Sequence, residues 1–452
     1  MTVVEPVDRY RASRAHAATG RLGAFTDATV LEAADVHVGR TLARLGGTDP
    51  TAGDGELVAL AVAFAVRAVR LGSVTVDLAT IAETATADDA ADVDVASLPW
   101  PDEEAWVAAV AASPLTARGD EAEADARPLR LLGTRLCLDR YWRHERAIVD
   151  DLRQRAGAIA PDVDDGLLAA GLARLFPGAA PDDQRTAAET AVRRSFSVIA
   201  GGPGTGKTTT VAAVLALLHE QAAAHGRPLR VALAAPTGKA AARLTEAVHR
   251  RAGELDVDPA VRDAILHAEA STIHRLLGRR PGSDSRFRHD RTNQLPHQVV
   301  IVDETSMVSL SLMARLVEAV RPSARLVLVG DPQQLVSVEA GAVLGDIVGP
   351  AVEPDAAAEG PIAAGISVLR RVHRFSGGVG ALARAVEAGD PDAVVDLLRD
   401  APDGVTWLDA DAATSAEADA LVRDAVVAPA ADVVASARGG DALGALAAMQ
   451  RV

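Results

Sequence analysis

The stretch Ser195-Phe-Ser-Val-Ile-Ala-Gly-Gly-Pro-Gly-Thr-Gly-Lys-Thr-Thr-Thr210 decides how the rest of the chain is read. Its first six residues carry no charge and end at Ala200, the composition of a strand covered on both faces. Gly201, Gly202, Pro203, Gly204, Thr205 and Gly206 then form a turn whose backbone amides can point inward at phosphates. Lys207, Thr208 and Thr209 open a helix that continues through Val211, Val214 and Leu218. The helix N-terminus adds its dipole, Lys207 reaches the outer phosphates of ATP, and the Thr208 hydroxyl suits Mg2+. Strand, loop and helix in this order specify a nucleotide site without selecting among the many phosphate-loop proteins.

Outward from this stretch the texture repeats. Short apolar runs at Arg230–Ala234, Gln298–Val302 and Arg325–Val329 are each followed by a turn and an amphipathic helix. That alternation predicts an α/β fold, a parallel sheet with crossover helices. The run ending at Val302 delivers Asp303-Glu304 to the C-terminal end of its strand, where ligands gather in open α/β sheets. Asp303 is placed to hold magnesium and Glu304 to take a proton from an attacking water, which points to hydrolysis. The next run ends in Gly330-Asp-Pro-Gln-Gln334; read alone, Asp331 or Gln334 fits a helix cap as well as a sensor of the terminal phosphate.

Composition narrows the function. At about 150 residues per domain, 452 residues suggest roughly three domains, and 49% hydrophobic content is enough for several cores. With 46 basic and 62 acidic residues the formal charge is −16, which excludes nucleic-acid binding by bulk positive charge and leaves local grooves. The single cysteine, Cys137, excludes a disulfide framework or multi-cysteine metal site and fits a reducing, cytoplasmic setting as a small buried residue. The N-terminus lacks the pattern of a secretory signal, and runs such as Leu57–Val66 are too short to span a membrane. Only two of the 46 basic residues are lysine, Lys207 and Lys239; the other 44 are arginine. A lysine surviving that drift marks a position that needs a compact ammonium.

Residues 1–180 read as a separate, mostly helical unit, with apolar residues at helical spacing through Glu56–Leu71 and Tyr141–Gln154. Between Glu83 and Ala126 lie twelve acidic residues and one arginine, a solvated or protein-binding face that repels phosphate. Pro161, Pro177, Gly178 and Pro181 cluster with aspartates and mark a linker or a string of helix caps near 160–183. Residues 181–350 form the nucleotide-binding core. Within it, 279–298 carries five arginines and two aspartates, a small basic insertion. No internal repeat is evident.

On these residues the chain resembles superfamily 1 helicases of the RecD type, the alpha subunit of exodeoxyribonuclease V. The likeness runs from about 184 to 390 and implies a RecA-like first core, with 351–452 as the start of a second. It implies that Asp303–Met307 is the Walker B segment, Gly330–Gln334 the motif with a phosphate-sensing glutamine, and Gln184 the reader of the adenine edge. Pro236, Thr237 and Lys239 match one single-strand-contacting motif; Thr272, His274 and Arg275 match the next, though an ordinary capped helix start reads the same way. Arg374 matches the arginine finger, and the family places a short hairpin in the region of the 279–298 insertion.

By this resemblance the chain is an ATP-dependent 5′–3′ single-strand translocase that acts in break repair and recombination. It would work on single-stranded DNA and duplex ends beside beta and gamma subunits, one of which would carry the nuclease. Motifs of a complete second core do not appear before Val452, so the expectation is a shortened chain that binds ATP and does not unwind. The alternatives are a non-catalytic nucleotide-binding assembly subunit and an unrelated phosphate-loop kinase.

Overall fold

A computed structural model describes residues 15, 18–87, 93–120, 127–158, 163–178, 182–280, 286–334, 339–349, 360–372, 377–407 and 415–449. Arg374, the expected finger, lies outside them. The chain divides into two compact units, Met1–Arg371 and Val372–Val452.

The first unit begins with helices α1 (Gly20–Asp27), α2 (Ala33–Leu45), α3 (Gly53–Arg70), α4 (Ile81–Thr84) and α5 (Glu103–Ala112). With them stands a four-stranded sheet that the sequence reading missed: β1 (Thr75–Asp77), β2 (Thr116–Arg118), β3 (Leu129–Leu132) and β4 (Arg135–Leu138), ordered β1-β4-β3-β2. At three or four residues each, these strands are too short to display a period-two pattern. Alanines 59, 61, 63 and 65 keep α3 slim enough to be buried nearly all round. Against it Phe25, Phe64, Trp100 and Trp106 form an aromatic knot, with ring centroids 4.5–6.1 Å apart among these contacts.

The main sheet has six parallel strands in the order β10-β5-β9-β8-β6-β7. They are β5 (Phe196–Gly201), β6 (Val231–Ala235), β7 (Ala270–Thr272), β8 (Val299–Val302), β9 (Arg325–Gly330) and β10 (Ile366–Leu369). Side chains alternate between two cores, as a pleated strand requires. Phe196, Val198, Val300, Val302, Leu326 and Leu328 face one core, and Ile199, Val299, Ile301, Val327 and Val329 the other. The first core is closed by α6 (Asp139–Ala156), α12 (Ile273–Leu277), α13 (Leu310–Ala319) and α14 (Val343–Val348). The second is closed by α7 (Asp165–Leu175), α8 (Asp183–Arg193), α9 (Lys207–Ala224), α10 (Gly238–Glu254) and α11 (Pro259–Leu266).

Two expected boundaries move. A break at residue 180 does not hold, because Tyr141, Ile148 and Leu152 of α6 and Leu168 and Leu172 of α7 pack into the cores of the main sheet. Arg155 on α6 fastens this join: fully buried, it donates to the carbonyls of Val320 (2.7 Å), Arg321 (2.7 Å) and Ala324 (3.1 Å) and pairs with Asp151 (2.5 Å). Nor does a second core start at 351. The strand Ile366–Leu369, expected to belong there, pairs in parallel with β5, from Ile366↔Val198 to Leu369↔Gly201. A four-residue apolar run satisfies either sheet, and only the β5 edge available beside it decides. The described residues of 279–298 contain the bridges Arg279↔Phe287 and Asp290↔Asn293.

The described helices of the second unit are α15 (Gly378–Glu387), α16 (Pro391–Asp400), α17 (Ala416–Arg438) and α18 (Ala442–Met449). Among the described residues no helix is long and apolar enough to cross a membrane.

Arg155→Ala should leave three carbonyls at the end of α13 and in the turn after it, and Asp151, without their donor. We expect a loss of about 3 kcal/mol, read as a lower urea midpoint at unchanged slope. Cys137 is 2% exposed, and burial, with Glu145 and Asp139 nearby, pushes its thiol up to about 12. Alkylation of the native chain should run roughly a thousandfold slower than in denaturant.

Candidate nucleotide site and nucleic-acid edge

In a parallel sheet every strand delivers its C-terminal end to the same edge. Following the strand order, that edge presents Arg370, then the loop Gly201–Gly206, then Gly330–Gln334, Asp303-Glu304, Pro236–Lys239 and finally Thr272–Arg275. The register aligns them: Ala200 pairs with Gly330, Val302 with Leu328 and Ala234, and Ala235 with Thr272.

The phosphate loop holds its shape through its own bonds. Thr205 Oγ1 donates to Gly202 O (2.8 Å), and Lys207 Nζ donates to Gly201 O (2.6 Å) and Gly202 O (3.1 Å). An ammonium lying across the loop's own carbonyls is positioned to exchange them for phosphate oxygens. Gly206 is the N-cap of α9 at φ +91°, and a Cβ there would stand 2.2 Å from Gln184 Nε2. That amide donates to Thr205 O (3.0 Å), so Gln184, the expected reader of the adenine edge, is bonded to the phosphate loop.

Asp303 and Glu304 follow β8, with the Asp303 amide on Ala234 O at 2.9 Å. Burial raises the Asp303 carboxyl to about 6; the Glu304 charge adds to the rise, while Lys207 and the Glu304 amide oppose it. Glu304 sits at φ +51°, the left-handed region that side chains with a Cβ avoid, and so is turned out of the strand direction. The oxygen donors Thr208 and Asp303 suit a hard cation such as magnesium, and the half-buried, raised carboxylate is the kind of group a cation stabilises. Among the described residues no group of three or more His, Cys, Asp and Glu is placed to hold a metal ion by itself.

At the third loop Asp331 takes the turn role: its Oδ1 accepts from the Gln333 amide (3.1 Å), while Gln334 is exposed. Gly330 packs so tightly on the Walker B turn that a Cβ would meet Thr305 N at 3.1 Å and Leu344 Cδ2 at 2.7 Å.

Both expected DNA motifs begin with a threonine N-cap. Thr237 Oγ1 accepts from Ala240 N (3.2 Å) and Thr272 Oγ1 from Arg275 N (3.1 Å). The ordinary capped helix is therefore present at both, and their N-termini stand side by side with Lys239 and Arg275 exposed. His274 packs on Phe287 of the insertion, ring centroids 5.8 Å apart. Asp183 belongs to none of the motifs, yet its carboxylate accepts from the Arg370 amide at 3.0 Å. At a sequence separation of 187, no local pattern signals that bond.

Gly206→Ala should weaken nucleotide binding at least about tenfold, and Gln184→Ala should not rescue it, because positive φ strains alanine even with the clash removed. Titration with a fluorescent ATP analogue checks both variants.

Residues 27–136 match the family described as RecBCD enzyme subunit RecD, N-terminal domain, and residues 184–340 match an AAA domain. The RecBCD enzyme subunit RecD of Mycolicibacterium smegmatis is 50% identical over 389 residues, 85% of this chain and 63% of the relative. That of Mycobacterium tuberculosis is 51% identical over 399 residues, 87% of this chain and 62% of the relative. The ATP-dependent RecD2 DNA helicase of Deinococcus radiodurans is 41% identical over 160 residues, 35% of this chain and 19% of the relative. The aligned part of this chain thus spans about three-fifths of the length of the two RecD relatives. The chain thus joins a RecD-type N-terminal domain to an AAA domain and is similar to RecD subunits along most of its length, with half of the aligned residues shared.

Proposed function

We propose that this chain is the ATP-hydrolysing motor of a DNA helicase, moving 5′ to 3′ on single strands as the alpha subunit of a cytoplasmic helicase–nuclease. Beta and gamma subunits are its partners, and duplex ends its point of entry. The observation that carries the reading is the common edge on which phosphate loop, acidic pair and two basic-flanked helix starts lie in register. Similarity to proteins named RecBCD enzyme subunit RecD supports the partners.

In this reading Gly201–Thr209 cradle the phosphates of ATP, and Gln184 reads the adenine. Lys207 leaves the carbonyls of Gly201 and Gly202 for the outer phosphates. Glu304, turned out by its positive φ, accepts a proton from the water that attacks the terminal phosphate. Thr208 and Asp303 would hold magnesium, which supplies charge neutralisation on the outer phosphates when it is bound. Gln334 registers the phosphate, and Arg374 is the residue that matches the arginine finger by resemblance. Pro236, Thr237, Lys239, Thr272, His274 and Arg275 track the strand's backbone through helix N-termini and exposed cations. The second unit serves as the opening of the second core, and the acidic faces of residues 1–180 meet protein rather than DNA.

ATP turnover with and without single-stranded DNA tests the proposal. Stimulation by DNA supports it, and tight nucleotide binding without turnover under either condition would favour the non-catalytic assembly role. Lys207→Ala should lower turnover by about two orders of magnitude or more with the fold retained. Glu304→Gln should lower it similarly while still binding ATP. Lys239→Ala should weaken single-strand binding and reduce its salt slope by about 1, measured by fluorescence anisotropy across several salt concentrations.

A further inference from the structure

The last ladder pair between β10 and β5 is Leu369↔Gly201. Beyond it β5 becomes the phosphate loop, so the Arg370 amide has no strand to donate to. It donates to the Asp183 carboxylate instead, at 3.0 Å. Asp183 is spare for this duty because the N-cap of α8 is Asp182, whose carboxylate takes the Gln184 amide at 2.9 Å. The neighbouring residue, Gln184, grips the other end of the phosphate loop through Thr205 O at 3.0 Å. Two adjacent side chains at the start of α8 thus fasten the nucleotide loop and the chain leaving the sheet. A third contact closes the circuit: a Cβ on Gly201 would lie 2.9 Å from Leu369 O, so the loop's first residue rests directly on the end of β10. The first compact unit ends one residue past this bond, at Arg371.

We propose that Asp183 is a positioning residue that relays nucleotide occupancy from the phosphate loop to the chain leaving β10, through its bond to the Arg370 amide. The relay rests on the nucleotide site proposed above. When phosphate draws Lys207 and the loop amides inward, Gln184 and the start of α8 follow, and Asp183 carries Arg370 with them. Such coupling needs only packed, directional contacts between neighbours, not a distant pathway.

Hydrogen exchange of the segment Leu369–Arg371, measured on the full chain with and without saturating Mg-ATPγS, tests it. In the wild type, exchange should slow at least about threefold on nucleotide addition. Asp183→Ala should bind ATPγS within about twofold of wild type and lose this response. Asp183→Asn keeps an acceptor oxygen and lacks the charge, so it should restore the response if the bond matters and fail if only helix-dipole stabilisation does. A wild type that binds ATPγS without any change at Leu369–Arg371 overturns the relay. So does an Asp183→Ala variant that responds like wild type, or an Asp183→Asn variant that does not respond. Failure of the wild type to bind ATPγS, seen in the accompanying titration, would instead overturn the nucleotide site and the relay with it.

Discussion

Strands β5, β8 and β9 are covered on both faces, so their buried amides and carbonyls find partners within the sheet. That ladder fixes where each loop of the site emerges. Because all six main strands run in parallel, the phosphate loop, the acidic pair and the two capped helix starts are driven to one edge. Their spacing along it follows from strand order alone. A one-residue slip of β8 against β9 would turn Val300 and Val302 away from their core, so hydrophobic burial and site alignment are one constraint.

Within that frame the site is assembled by close backbone approach. Gly201, Gly206 and Gly330 each stand where a methyl group would collide with a neighbour. Two of those neighbours, Gln184 and the Walker B turn, are themselves parts of the proposed machinery. Glu304 accepts left-handed backbone strain, which turns the chain off the line of β8 at that residue. Electrostatics work locally against a chain of net charge −16. The only two lysines lie on the same edge, one folded onto the phosphate loop after β5 and one exposed after β6, where a point charge serves better than a planar fork.

The N-terminal region contributes more than an appended domain would. Helices α6 and α7 supply walls to the two cores of the main sheet, and Arg155 fastens α6 to the helix end at Val320. The N-terminal region and the nucleotide core are thereby joined through a buried guanidinium whose donors face carbonyls and a carboxylate. The described acidic residues between Glu83 and Asp120 act partly as caps, Asp94 and Asp102 among them, and partly as exposed surface.

Much of the core and of its nucleotide site was legible from residues alone, because their signals are local. An uncharged strand, a glycine turn and a helix start are contiguous from Ser195 to Thr210. The carboxylates follow an apolar run directly, and two lysines stand out against 44 arginines. The four-stranded N-terminal sheet was hidden because strands of three or four residues carry too little periodicity. Tertiary structure alone decided that Ile366–Leu369 joins β5, that α6 and α7 belong to the main cores, and that Asp183 holds Arg370. Each is a pairing between residues far apart in the chain, chosen by which apolar face or unpaired amide remained to be satisfied once the local elements had formed.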